Sequence, residues 1–326
     1  MLIIYYIYIN QIISIMKKIY FTLFAIALFA ITLQAQEVTR YYLNNNILTQ
    51  SKDSATYQIK FKTAKNGLVN FERYCLDGQL KERGTFQNMT TMVREGEITT
   101  FYPNGNKKDV SFYADGLPNG IKTHYFTTGE INYKILINSA GYGENHQEEE
   151  SIMYLFCVDK NGKTTLIDGN GQFISYNDDL EISQEGNVKN TNADGTWKGF
   201  DKGNLVFSEL YQKGKLIKGE SYSANGKIYT YQQRNKRPEP KGGIINFYSY
   251  IISSMQDLDL NNEKMMMKFV VDVNGSLKNI EVVNSSNQKI NTLAVNTLKN
   301  APKWNPALEQ GKPVQVSYYM PISIKY

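Results

Sequence analysis

Histidine and cysteine are scarce in this chain of 326 residues, which has only two of each. No histidine or cysteine has the spacing of a metal site, and no serine, histidine and acid can be placed together as a catalytic triad. His124 lies in a strand-like segment, and His146 lies in an acidic loop. We therefore expect no enzyme activity, no catalytic residue, no bound metal and no cofactor.

Basic charge is not concentrated anywhere along the chain. The formal net charge is only +5, and the basic residues form neither a stripe nor a block. Binding to nucleic acid or to an anionic membrane surface needs such a concentration. We predict neither.

Proline is rare before residue 238, because only Pro103 and Pro118 precede that point among the 8 prolines. A proline-rich spacer is a semi-rigid, extended segment that can hold two domains apart. The sequence contains no such spacer.

One apolar run has the features of a targeting segment. Two lysines precede the apolar stretch 19–33, and a small residue, Ala35, follows it. This order is typical of a secretory signal peptide. We predict a signal peptide at residues 1–35, with Met16 as the true start and Gln36 as the first mature residue. The predicted location is the periplasm, and the alternative is an uncleaved inner-membrane anchor that faces the periplasm.

The two cysteines, Cys75 and Cys157, allow two interpretations. Export would expose them to an oxidising compartment, where a disulfide between them is possible. Both also lie in apolar, strand-like segments, which favours two separate buried side chains. The sequence leaves both interpretations open.

Glycine and tyrosine are abundant, with 24 of each, and they follow a repeating pattern. Segments that begin at Gly96 and Gly195 restart 24 residues later, at Gly120 and Gly219. Within each unit an aromatic residue precedes a turn glycine by three or four positions. Asn-Gly and Asp-Gly pairs favour tight hairpin turns, and a lone hairpin is only marginally stable. The pattern therefore predicts stacked β-hairpins that share a core.

This pattern, written G-x-x-x-x-[YF]-[YF]-x-[NDT]-G, resembles MORN-type repeats found in exported bacterial proteins. The resemblance is carried by residues 67–135 and 193–232. It implies MORN-like β-hairpin repeats at 36–140 and 193–233. An acidic segment at 141–192 separates them, and its own Asn-Gly and Asp-Gly turns indicate an inserted or degenerate β unit.

The composition changes at 234–243, a charged segment with two prolines and two glycines that we predict to be a linker. The apolar spacing that follows predicts the order α-β-β-α-β. Residues 244–255 and 290–298 have helical spacing, whereas 265–273 alternate as in a strand. Two helices on one face of a three-stranded sheet would bury a small core.

The last strand begins at Val314, and from there apolar and polar residues alternate to the end of the chain. Such alternation is typical of a half-buried β-strand. Pro321 lies inside it, and proline cannot donate to a β-ladder, so the strand is predicted to lie at an edge of its sheet.

Several motifs in this region are similar, in order and spacing, to the TonB carboxy-terminal domain of the Bacteroidetes type. They are PEPKGG at 238–243, FVVDVNG at 269–275, LAV at 293–295, PKWNPA at 302–307, GKPV at 311–314 and MPI at 320–322. The expected fold is thus an α+β and β-repeat protein. MORN-like stacked hairpins are followed by a small TonB C-terminal-like domain at 244–326.

The resemblance implies a function in binding. Domains of that family bind an extended segment of a TonB-dependent outer-membrane receptor by strand addition. An inner-membrane motor complex would be a second partner if the amino-terminal helix is uncleaved. Trp304 is expected in or beside the core. The alternative function is that of a periplasmic repeat scaffold without energy transduction. The implied partner-binding residues are Val314, Gln315, Val316, Ser317, Tyr318, Tyr319, Met320, Pro321, Ile322, Ser323 and Ile324.

Overall fold

The structure is a computed structural model that describes residues 37–44, 47–64, 66–140, 149–254, 264–284 and 288–323. The predicted signal peptide at 1–35 lies outside these ranges. The described chain forms two compact units. Unit 1 contains the residues up to 131 together with 135–152, and unit 2 contains 132–134 and the residues from 153 onward.

Unit 1 is built from antiparallel strands that follow one another along the chain. Strand β1 pairs with both β2 and β3, successive strands from β3 to β8 pair antiparallel, and β9 lies beside β8. The strands are β1 (Glu37–Tyr42), β2 (Leu48–Thr49), β3 (Tyr57–Thr63), β4 (Val69–Cys75), β5 (Leu80–Phe86), β6 (Gly96–Phe101), β7 (Lys107–Ala114), β8 (Leu117–Tyr125) and β9 (Ile131–Ala140).

Aromatic side chains form the core of unit 1, and its hairpin turns contact one another. The rings of Phe71 and Phe86 stack with their centroids 3.8 Å apart. The Tyr102 hydroxyl donates to the Tyr125 carbonyl at 2.7 Å, and the Asn104 side chain donates to the Thr127 carbonyl at 2.7 Å. These bonds join one turn to the next, so the hairpins stack.

Unit 2 begins with a second series of antiparallel hairpins. Each strand from β10 to β16 pairs antiparallel with the strand that follows it. The acidic segment, described from residue 149 onward, contributes the first four strands. The strands are β10 (Glu149–Val158, which enters unit 2 at Met153), β11 (Thr164–Ile167), β12 (Asn170–Tyr176), β13 (Ile182–Lys189), β14 (Asn192–Asp201), β15 (Asn204–Gln212), β16 (Lys215–Tyr222) and β17 (Ile228–Tyr231).

Aromatic rings in these hairpins lie over glycines of the neighbouring strand. A Cβ atom added to any of three strand glycines would lie within about 2.5 Å of a ring atom, so only glycine fits. The repeat pattern marks Gly219 only as the start of a repeat. The structure shows that this position must be glycine because the Tyr231 ring packs against it. The pairs are Gly186 with Trp197, Gly199 with Phe207 and Gly219 with Tyr231.

The last part of unit 2 contains the two helices of the described chain, α1 (Ile244–Ser253) and α2 (Gln288–Lys299). The main sheet has the order β21–β20–β25, and two smaller sheets have the orders β18–β23–β24 and β19–β22. The strands are β18 (Asn235–Lys236), β19 (Glu239–Pro240), β20 (Lys264–Val271), β21 (Leu277–Asn284), β22 (Trp304–Asn305), β23 (Ala307–Glu309), β24 (Lys312–Val314) and β25 (Val316–Ser323).

The segment 234–243 is not the simple linker that its composition predicts. Strand β18 pairs with β23, and β19 pairs with β22. Its main-chain groups are thus hydrogen-bonded to strands some 65 to 75 residues later, a long-range pairing that composition does not reveal. The connection between the hairpins and the last domain is therefore ordered.

Trp304 is at the centre of the core of this last domain. Its side chain is 0% exposed, and its ring lies 5.1 Å from Phe247, 5.4 Å from Phe269 and 5.0 Å from Tyr318. The prediction that Trp304 packs in or beside the core is confirmed. Strand β20 ends at Val271, so Val273, predicted as part of that strand, lies in the turn and is exposed.

Candidate functional site

The candidate site is strand β25, which forms one edge of the main sheet of the last domain. It pairs with β20 over eight consecutive residue pairs, from Val316 opposite Val271 to Ser323 opposite Lys264, without a register shift. In the described part of the chain no strand pairs with its other side. A regular strand with a free side is a template for the addition of another strand.

Side chains along β25 alternate between the core and the solvent, as the sequence predicts. Met320 and Ile322 are buried, whereas Ser317 and Pro321 are exposed and Tyr319 is 57% exposed. The outward residues therefore lie largely in solvent. The buried residues anchor the strand in the core and fix its register.

The continuous strand is shorter than the predicted range of Val314–Ile324. Val314 belongs to β24, where it pairs with Ala307, and Gln315 separates it from β25. Ile324 lies outside the described residues. Alternation alone missed the break because Val314 is itself half-buried on the expected face.

Pro321 shows which residues of β25 direct their main-chain groups toward the free side. Its carbonyl accepts a hydrogen bond from the Tyr248 hydroxyl of α1 at 3.2 Å. Proline has no N–H to give to the pairing with β20. Main-chain groups of alternate residues in an antiparallel strand point to opposite sides. Ser317 and Tyr319 therefore share the orientation of Pro321 and present N–H and C=O to the free side.

Tyr248 closes the far end of this free side. Burial raises the pKa of its hydroxyl, and the nearby Tyr318 adds to that shift, so the group stays protonated and can donate. At Pro321 the free side thus has no N–H to donate, and the carbonyl already accepts from Tyr248. The open part of the edge lies between Val316 and Met320.

The opposite edge of the same sheet, strand β21, is irregular. Its pairing with β20 has register shifts between Met266 and Met267 and between Lys268 and Val270. Asn279, in the middle of β21, has a positive φ of 50°. Such bulges twist an edge and hinder the addition of another strand. Of the two edges, β25 is the one with uninterrupted geometry.

Two lysines of this sheet contact neighbouring side chains. Lys268 lies with its ammonium 6.0 Å from the centre of the Tyr319 ring, a contact of the cation–π type. At the hairpin end of the sheet, Lys278 and the Asp272 carboxylate form an ion pair at 2.5 Å. The hydrogen bond from Lys278, and then that from the Val273 N–H, hold the pKa of Asp272 below its usual value.

Both cysteines are free in the structure, Cys75 half-buried and Cys157 fully buried. The Cys157 thiol donates to the Ile174 carbonyl at 3.1 Å, inside unit 2. Burial raises the pKa of this thiol, although the hydrogen bonds from its surroundings act against the shift. The structure thus shows Cys75 and Cys157 as two separate thiols.

His124 has a structural environment. Its Nδ1 lies 2.9 Å from the Asp109 carboxylate, which also pairs with Lys122 at 3.1 Å. The three side chains lie on the neighbouring strands β7 and β8. His146 lies outside the described residues. Across the described ranges, no three His, Cys, Asp or Glu side chains are grouped so that they could hold a metal ion.

The second hairpin series contains a buried charge that the sequence patterns do not predict. The Glu209 carboxylate is 0% exposed and accepts hydrogen bonds from Arg234, from Tyr231 at 2.7 Å and from Tyr211 at 3.0 Å. Burial acts to lower the pKa of Arg234, but the bonds to Glu209 raise it overall. The sequence does contain one indication of this buried charge: Glu209 lies on the same face of its strand as Phe207 and Tyr211.

Unit 1 contains a similar arrangement. The side chain of Glu82 is 6% exposed and pairs with Arg94 at 2.6 Å and with Arg73 at 3.4 Å. Each guanidinium also lies over a tyrosine ring, about 5 Å from its centre. Buried charges of this kind are retained only when they are paired.

Residues 263–325 match the family described as Gram-negative bacterial TonB protein C-terminal. The match covers the main sheet and α2 but none of the preceding hairpins. A comparison with curated proteins finds no match to the chain. Within the part of the chain that the structure describes, no helix is both long and apolar enough to cross a membrane.

Proposed function

We propose that the last domain binds an extended segment of a TonB-dependent outer-membrane receptor, which adds as a strand to the free side of β25. The observation that supports this most strongly is the uninterrupted edge of β25 in a region similar to TonB C-terminal domains. Recognition would occur through main-chain hydrogen bonds, with alternate side chains giving specificity. The domain would have a binding role and no chemistry of its own.

The proposed binding segment is narrower than the range carried over from the family. Ser317 and Tyr319 provide the main-chain donors and acceptors, and Pro321 with Tyr248 marks where pairing ends. Each such bond contributes about 1 kcal/mol net. The affinity would therefore depend on side-chain contacts of the receptor segment as well as on the main chain.

We further propose that the hairpins before this domain are MORN-type repeats and that the chain works in the periplasm. The domain limits of this proposal are a signal peptide at 1–35, hairpins at 36–140 and 193–233 around the acidic unit 141–192, and the binding domain from 244. Hydrogen bonds between successive turns, such as that from Tyr102 to Tyr125, support hairpin units that stack on one another. The protein would take part in energy transduction to outer-membrane transport.

The experiment compares two variants of one residue in the full chain. Ser317→Pro removes an N–H from the free side but none from the pairing with β20, whereas Ser317→Ala keeps that N–H. The probe is a synthetic peptide of the extended segment of a TonB-dependent receptor from the same genome, with binding measured by isothermal titration calorimetry. Circular dichroism melts of both variants check the fold.

We expect the wild-type protein and S317A to bind the peptide equally, and S317P to bind about five- to tenfold more weakly. Equal binding by both variants would place the contact elsewhere. No binding by the wild-type protein would favour the scaffold function over receptor recognition.

A further inference from the structure

The turn between β23 and β24 lies against the last two strands of the hairpin series. The Ser221 hydroxyl of β16 donates to the Gln310 carbonyl at 2.8 Å, and the Lys312 ammonium donates to the Tyr222 carbonyl at 3.0 Å. A Cβ atom placed on Gly311 would lie 3.1 Å from the Thr230 carbonyl of β17. The last domain therefore contacts the end of the hairpins directly.

Ser221 shows that this contact is part of the folded interior. Its side chain is 0% exposed, although serine is usually found at the surface. Without Gln310, the hydroxyl would lose a partner at a buried position, which is costly. The contact is therefore specific and not an incidental touch.

Arg234 joins the two parts a second time. Its side chain pairs with the buried Glu209 of β15, and its guanidinium lies 5.2 Å above the Phe207 ring. Its main-chain carbonyl accepts from the Gln310 N–H at 2.5 Å. One residue at the start of the predicted linker is thus held by the hairpins through its side chain and by the last domain through its main chain.

We propose that the strands β14–β17 and the last domain move as one rigid body, with the β23–β24 turn acting as the docking element. The β25 edge then keeps a fixed position and orientation relative to the strands β14–β17. A proline-rich spacer could also hold a domain in place, but the sequence contains none. A pull on β25 would pass through β24 and β23 into the hairpins. This role in force transfer rests on the proposed function, whereas the rigid docking does not.

The first test uses trypsin on the full chain, because the segment 234–243 contains cleavable sites at Arg234, Lys236 and Lys241. The docking variant is S221A/K312A, which removes both side-chain contacts to the turn. The matched control is K215A, an exposed lysine at the start of β16. Rates of cleavage in 234–243 are read by mass spectrometry.

We expect slow cleavage in the wild-type protein and K215A, and cleavage faster by about tenfold in S221A/K312A. Fast cleavage in the wild-type protein would overturn the proposal. Slow cleavage that the double variant leaves unchanged would show that β18 and β19 protect the segment by themselves, which also contradicts the docking role.

The second test measures rotational diffusion by NMR relaxation of backbone amides in the full chain. Rigid docking predicts one correlation time for β14–β17 and for β20–β25 in the wild-type protein. In S221A/K312A the amides of β20–β25 should tumble faster. Separate correlation times in the wild-type protein would refute the proposal. Neither test uses a receptor peptide, so failure of receptor binding would be seen separately.

Discussion

Two glycines of unit 2 have the same backbone conformation but very different surroundings, and they make a matched pair of substitutions. Gly275, in the turn between β20 and β21, has φ +79°, and Gly226, in the turn between β16 and β17, has φ +81°. A Cβ atom on Gly275 would lie 1.8 Å from the Trp304 carbonyl oxygen, whereas one on Gly226 would meet nothing within 4 Å.

The expected cost of each alanine follows from these contacts. Both variants have the cost of a left-handed alanine, about 1–2 kcal/mol, partly offset by about 0.4–1 kcal/mol from a less flexible unfolded chain. Gly275→Ala must also displace the turn from Trp304, whose main-chain N–H donates to the Gly275 carbonyl at 2.8 Å. Lost hydrogen bonding and overpacking add about 2–4 kcal/mol. The predicted free-energy losses are about 1 kcal/mol for G226A and about 3–5 kcal/mol for G275A.

The assay is urea unfolding followed by the fluorescence of Trp304, with Trp197→Phe as the common background so that Trp304 is the only tryptophan and reports the unfolding of unit 2. The slope of the unfolding free energy against urea concentration should be the same in both variants, so that a shift in the unfolding midpoint measures a change in stability. Equal losses in G226A and G275A would refute the argument, because the packing of the turn against Trp304 would then contribute nothing.

Three further predictions concern buried groups. Glu209→Ala should destabilise unit 2 by about 2–3 kcal/mol in thermal or urea unfolding, below the usual 3–5 because the Arg234 side chain is 41% exposed; no loss would contradict the pairing. Burial acts to raise the pKa of Asp109, but its hydrogen bond with His124 lowers this pKa overall. The ionised Asp109 carboxylate therefore stabilises unit 1 above about pH 4, and this stabilisation is lost as the pH falls. On acidification, the melting temperature of D109N should thus fall less than that of the wild-type protein, and an equal fall in both would contradict this. Thiol labelling without reductant should find two free cysteines after denaturation, with Cys157 unreactive in the folded protein, whereas no free thiol would indicate a disulfide.

Much of the fold is readable from local sequence patterns. The alternation of apolar residues predicts the strands β20 and β25, and the helical spacing at 290–298 predicts α2. The turn glycines, such as Gly78 and Gly226, have the positive φ that hairpin turns require. These features depend on neighbours in the chain, so the sequence is enough to predict them.

Features that depend on distant residues were missed. The strands β18 and β19 exist only because β23 and β22 pair with them, and composition alone suggests a linker there. The break at Gln315 arises because Val314 pairs with Ala307 in a different sheet. Likewise, the buried charge of Glu209 is tolerated only because Arg234 lies beside it, 25 residues later.

The candidate site could be predicted in outline but not in extent. Pro321 correctly marks an edge strand, since the sheet order places β25 at an edge. The hydrogen bond from Tyr248 to Pro321 joins residues 73 positions apart, and no local pattern indicates it. That bond limits the open edge to the part before Pro321.

The most direct test of strand addition at β25 is amide hydrogen exchange of the full chain, with and without a saturating receptor peptide. We expect exchange to slow at Ser317 and Tyr319, whose N–H groups face the free side. Exchange at Tyr318 and Met320, whose N–H groups already pair with β20, should change little. Peptide binding that leaves the exchange of Ser317 and Tyr319 unchanged would contradict strand addition at this edge.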